Sequence, residues 1–230
     1  MAETVDIFIC TSYHHHHVFP AALYSALTQT YSNIRVILFL DGIHPWLERQ
    51  VKKWWYTESE GPKEVYAPQS GSNMLKRDAI RIEHCKRGVL VRNLSGPAGA
   101  AHAARQWIFE WPDKSPLVKM LDADDMLTSR GIEVMMGYLK PELDGVFCPL
   151  FKSSNYRVNG MHDIIPGIPK RNQYGSGCML LRREFMDKVV QSGFVWPSVN
   201  NNDDFFMGVI EKGDFKFATT AENMIYFYLR

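Results

Sequence analysis

Two apolar runs rich in β-branched residues, VDIFIC at 5–10 and RVILFL at 35–40, constrain this chain most. Runs apolar on both faces are the pattern of strands covered on both sides. Between them Phe19, Leu23, Ala26, Leu27 and Thr30 recur at helical spacing. Strand, helix, strand at this spacing is a parallel βαβ unit, because parallel neighbours need a crossover. The alternation continues with a helix that has Pro45 in its first turn and buries Leu47, Val51 and Trp54 or Trp55. Strands are expected at 88–91 (GVLV) and 116–121 (PLVKML), separated by the helix-favouring GAAHAARQWIFEW. The fold class is therefore α/β with a mostly parallel central sheet.

The second half is more mixed. Thr128 or Ser129 is placed to cap a helix that buries Ile132, Met135, Met136 and Leu139. GVFCPL (145–150) and CMLLR (178–182) read as strands, and residues 155–177 between them have the Gly, Pro and Asn content of a long loop. Helices are expected from Arg183 to Ser192 and from Asp204 to Lys212, with Gly193 and Gly213 where left-handed C-terminal caps fall. With no internal repeat or low-complexity linker, 230 residues at 46% hydrophobic content suit a single domain. Its halves are 1–125, of nucleotide-binding type, and 126–230, more variable.

Several function classes are disfavoured at once. A balance of 26 basic and 25 acidic residues gives no general attraction to nucleic acid or anionic lipid. Cys10, Cys85, Cys148 and Cys178 are widely spaced and unpaired by any CxxC motif, so free buried thiols are expected. No apolar run reaches the ~18 residues of a membrane span, and MAETVDIFIC lacks the basic start of a signal peptide. A soluble, cytoplasmic chain is expected. The turn after the first strand, TSYHHHH, has no glycine, which excludes a GxGxxG dinucleotide site, and GxxxxGK[ST] is absent.

In open α/β sheets ligands bind beyond the carboxyl ends of the strands. Three such places are polar here: TSYHHHH (11–17), Asp41 with Gly42, and DADD (122–125). Hydroxyls and a lone carboxylate suit the edge and face of a nucleobase. Three carboxylates within four positions repel one another unless a cation neutralises them, and hard oxygen ligands suit Mg²⁺ or Mn²⁺ on a diphosphate. The four histidines point in different directions along one turn, so a polar turn is the simpler reading than a metal site.

Taken in order, these segments resemble a known family. FICTSYHHHHVFPAALYSALTQTYSNIRVILFLDG, NLSGPAGAAHAARQWI, MLDADDML, GSGCMLLRREFMDKV and NNDDFFMGVIEKGDFKFATTAENMIYFY are similar to the motif series of GT-A fold glycosyltransferases of the large inverting family 2. The resemblance covers nearly the whole chain and implies a single GT-A (Rossmann-like) domain with helices on both faces of the sheet and a small mixed second sheet. It implies that Thr11 and Tyr13 contact the nucleoside base and that Asp41 bonds its imide. Asp122 would reach the ribose or the metal, Ala123 stands between the acids, and Asp124 would ligate the Mn²⁺ or Mg²⁺ on the diphosphate. Arg105 stands one residue out of step with the family's nucleotide-contacting arginine, and Leu40 replaces the first of the family's two acids at 40–41. The family's catalytic base maps onto Asp203 or Asp204 in NNDD.

The implied activity is transfer of a sugar from a nucleoside-diphosphate sugar, of UDP or dTDP type, to a hydroxyl acceptor such as a glycan. Two alternatives stand beside it: a nucleotide-binding GT-A module without activity, and a transferase acting on a modified nucleic-acid base. The basic and aromatic residues of 153–177, among them Arg157, His162, Lys170, Arg171 and Tyr174, are expected to face the acceptor.

Overall fold

The computed structural model describes residues 2–12, 15–41, 49, 63–66, 79–84, 88–93, 105–106, 108–111, 115–148, 150–154, 157–161, 176–196, 202–220 and 226–228. Its strands are β1 Val5–Ser12, β2 Ile34–Asp41, β3 Lys63–Tyr66, β4 Ala79–His84, β5 Gly88–Asn93, β6 Leu117–Asp122, β7 Asp125–Leu127, β8 Gly145–Phe147, β9 Leu150–Ser154, β10 Arg157–Met161, β11 Met179–Arg182, β12 Phe217–Thr219 and β13 Tyr226–Tyr228. The helices are α1 Phe19–Leu27, α2 Gly131–Tyr138, α3 Arg183–Gln191 and α4 Asn202–Lys212. Residues 105–106 and 108–109 are also helical.

Nine strands form the main sheet in the order β12-β8-β11-β6-β1-β2-β5-β4-β3. Its centre, β6-β1-β2-β5, is parallel throughout, as the apolar runs require. Val5, Ile7, Phe8 and Ile9 of β1 and Leu117, Val118, Met120 and Leu121 of β6 are all buried. Antiparallel pairing lies outside that centre, in β3-β4-β5 and around β11. The second sheet, β10-β9-β13-β7, is small and mixed, with β9 and β13 parallel and its outer pairs antiparallel.

At the amino ends of the central strands a charged group is buried deliberately. Asp6 is fully buried and directly opposite Arg35, whose Nε and Nη2 donate to it at 2.8 and 2.9 Å. Ser115 adds its hydroxyl at 2.8 Å, and Arg183 lies 3.9 Å away. A carboxylate held this way ties β1 to β2, because a one-residue slip would strand the charge.

Two expectations need correction. GVFCPL is two strands: β8 pairs in the main sheet and β9 in the second sheet. The run contains Pro149, which has no N–H to continue a ladder. The expected loop at 155–177 contains β10, antiparallel to β9; residues 162–175 lie outside the described set. Strands β3 and β4 were not anticipated, while the helix expected from Pro45 falls almost wholly outside the described residues.

The caps also differ. Gly193 has φ +82° and closes α3 as expected, but it alone among the described glycines has positive φ. Gly213 is required for space instead, since a Cβ there would run into the Phe215 ring. Neither Thr128 nor Ser129 caps α2, whose N-cap is Arg130 with no side-chain hydrogen bond. The work is done from across the fold by Gln29, as described below.

Candidate functional site

The parallel centre brings the candidate residues to one edge. In register, Cys10 of β1 faces Asp122 of β6, Ser12 faces Asp41 of β2, and Asp41 faces Asn93 of β5. Thr11, Asp41 and Asp122 thus end neighbouring strands at the carboxyl edge, beside the place where chain connections leave β1 in opposite directions. Thr11 is buried. Tyr13 and His14 lie outside the described residues, and His15, His16 and His17 form the turn into α1.

Asp122 closes β6, and the chain then crosses from the main sheet to the second sheet in two residues. Ala123 and Asp124 make that turn, and Asp125 opens β7, paired with Tyr228. The turn is buried: Ala123 is 2% exposed, Asp124 7% and Asp125 1%, whereas the Asp122 side chain is 34% exposed. One carboxylate oxygen from each of Asp122, Asp124 and Asp125 falls in a group spanning at most 4.8 Å. Buried carboxylates at that spacing need a counter-charge, and an all-oxygen ligand set fits a hard divalent cation such as Mn²⁺ or Mg²⁺.

The protein supplies part of that counter-charge itself. Arg105 Nη2 lies 3.4 Å from Asp122 Oδ1, and the same guanidinium sits over the Trp196 ring, 5.4 Å from its centroid. Lys119 is fully buried behind the turn, donating to the carbonyl of Met120 at 2.9 Å and to that of Gly177. Burial holds its ammonium below the usual lysine range, opposed by the Cys148 and Cys178 thiols and by the Asp122 and Asp125 carboxylates. Cys148 and Cys178 are buried thiols outside any disulfide, as expected, whereas Cys10, also outside a disulfide, is only half-buried; Cys85 lies outside the described residues.

Gln29 anchors the far side of the turn. Its Nε2 donates to the Ser25 carbonyl at 2.8 Å and the Thr128 carbonyl at 2.7 Å, while its Oε1 accepts from the Ile132 N–H at 2.9 Å. The Leu127 N–H donates to Ser25 Oγ at 3.2 Å, and the Thr30 N–H to the Ser129 carbonyl at 2.8 Å. One buried amide thus ends α1, starts α2 and fixes β7, the strand that carries Asp125. Gln29 has no role among the residues singled out from the sequence. Its polarity within an apolar pattern was the available signal.

Asp203 and Asp204 are the second and third residues of α4. Both lie in its first turn, where the helix dipole favours a carboxylate. Helix α4 is tied to the acidic turn through rings: Phe206 stacks on Trp196 at 5.0 Å, and Trp196 carries Arg105. Trp196, Gln106 and Lys119 were not singled out from the sequence; aromatic and amide residues far apart in the chain give no signal of their meeting.

This architecture is the GT-A fold of glycosyltransferases. Among solved structures the chain is similar to TarS 1–349 of S. aureus, at TM-score 0.64 and 11% identity over 97% of this chain and 60% of that one. It is similar to the same protein in complex with UDP-GlcNAc, at TM-score 0.64 and 11% identity, over 97% and 58%. It also resembles the mannosyltransferase PcManGT of Pyrobaculum calidifontis in complex with GDP-Man and Mn²⁺, at TM-score 0.60 and 13% identity over 100% and 57%. The chain spans about three fifths of the length of these structures. No protein-family model and no curated protein sequence matches it. Among the described residues no helix is long and apolar enough to cross a membrane.

Proposed function

We propose that this chain is a metal-dependent inverting glycosyltransferase of the family 2 type, moving a sugar from a nucleoside-diphosphate sugar to a hydroxyl acceptor. The observation that carries the reading is the set of Asp122, Asp124 and Asp125 oxygens within 4.8 Å at the carboxyl edge of a parallel sheet. A donor of UDP or dTDP type is favoured by the match of Thr11, Tyr13 and Asp41 to base-contacting positions. Support for a metal-bound nucleotide sugar comes from neighbours of the same fold solved with UDP-GlcNAc and with GDP-Man and Mn²⁺.

In this reading Asp124 and Asp122 hold Mn²⁺ or Mg²⁺, with Asp125 supporting the turn. When bound, the cation supplies Lewis acidity to the leaving diphosphate. Arg105 contributes a second positive charge beside it. Thr11, Tyr13 and Asp41 orient the base, and Ala123 leaves room where a larger side chain would fill the buried turn. Asp203 or Asp204 accepts the acceptor hydroxyl's proton as that oxygen attacks the anomeric carbon. The bond to the nucleoside diphosphate breaks on the opposite face, which inverts the centre. Residues 1–125 form the donor-binding half and 126–230 the acceptor-binding half.

A thermal-shift screen of nucleoside-diphosphate sugars with and without Mn²⁺ tests the reading, since stabilisation follows affinity. One donor should raise the melting temperature only when the metal is present. No shift with any donor, or a shift indifferent to metal, would count against it.

A further inference from the structure

We propose that Trp196 is a positioning residue for the donor site, acting through Arg105; this rests on the reading that Arg105 and the acidic turn bind a nucleoside diphosphate. Trp196 is fully buried although its neighbour Val195 is 52% exposed. Rings fix its indole: Phe206 stacks on it, and Phe109 and Phe194 meet it edge-on, each at 5.6 Å. Among the described residues Nε1 has no hydrogen-bond partner. Its backbone N–H donates to Gln106 Oε1 at 3.0 Å, so Trp196 is tied to the helical turn that carries Arg105.

The guanidinium of Arg105 therefore lies against both a buried, closely packed aromatic face and the Asp122 carboxylate. An arginine side chain has many rotamers, and holding it in one before the ligand arrives spares the entropy of fixing it on binding. The aromatic face is attractive to the cation and, being largely shielded from water, holds it more strongly than an exposed ring would. The same ring rests on Phe206 of α4, the helix of Asp203 and Asp204. Trp196 thus sets the separation between the cation on the donor side and the helix of the proposed base.

The test is a double-mutant cycle on binding of UDP and of GDP in the presence of Mn²⁺, measured by titration calorimetry. Trp196→Phe keeps a buried ring with a weaker face and should weaken binding about three-fold; Trp196→Leu should weaken it about ten-fold, within the span of a cation–π contact. In an Arg105→Leu background neither change should weaken binding further. Losses that add in that background would overturn the proposal, since they would mean that Trp196 acts on the fold and not through Arg105. Should Trp196→Leu fail to fold, the Trp196→Phe arm decides alone. Binding by the unaltered protein with no change in either Trp196 variant defeats this inference and leaves the glycosyltransferase reading standing. No binding of either nucleotide by the unaltered protein defeats both.

Discussion

Replacing Gln29 with leucine removes a buried amide that makes three hydrogen bonds of 2.7 to 2.9 Å while keeping roughly its volume. Each bond is worth about 1 kcal/mol net, and the stranded Thr128 carbonyl and buried Ile132 N–H add a desolvation cost. The leucine recovers part of this through apolar burial. The expected loss is about 3 kcal/mol, a large share of the roughly 5–15 kcal/mol that stabilises a typical domain. For a chain this size, that is a fall in melting temperature of about 6–12 °C. Urea titration followed by circular dichroism measures it, and the midpoint should fall with little change in slope. Because the same amide fixes the strand that carries Asp125, donor stabilisation in Mn²⁺ should fall as well. A loss under about 1 kcal/mol would refute the claim that this one side chain joins α1, α2 and the acidic turn.

Asp6→Asn leaves the Arg35 guanidinium facing a neutral partner in a buried site and should cost about 3–5 kcal/mol by denaturant titration; an Arg35→Met change made on top of it should then cost little more. For Lys119 the folded value lies below the unfolded one, so between the two the unfolded chain binds the extra proton and stability rises with pH. Lys119→Met should flatten that rise at alkaline pH in the difference between the two stability profiles, and an unchanged profile would show that the ammonium is not held as described. Of Asp203→Asn and Asp204→Asn, one should bind donor with unchanged affinity yet transfer no sugar in a product assay; normal transfer by both would remove the proposed base.

What the sequence revealed follows from what local pattern encodes. The parallel centre was legible because VDIFIC, RVILFL and PLVKML are apolar on both faces, and α1 because Phe19, Leu23 and Ala26 share a helical stripe. Gly193 announced a left-handed cap, while Gly213 carried the same signal for a different cause, the nearness of Phe215. The small sheet was legible only through family resemblance, because β7 is three residues long and its partner β13 lies about 100 residues away. Thr128 and Ser129 looked like caps by local rules, yet Gln29 supplies the bond from just beyond the end of α1. Of the site, the acidic turn was visible as charge at a strand end. The side chains that brace it, Gln29, Trp196 and Lys119, are each unremarkable in their own segment and gain meaning only through contacts distant in sequence.

In the proposed function the acidic turn binds a nucleotide sugar through a divalent cation, and Asp124 is essential to it. Release of nucleoside diphosphate from the donor found in the thermal-shift screen, in excess Mn²⁺, tests this most directly when Asp124→Ala is compared with the unaltered protein. The unaltered protein should release nucleoside diphosphate, and a folded Asp124→Ala variant should release none. Substantial release by that variant would contradict it.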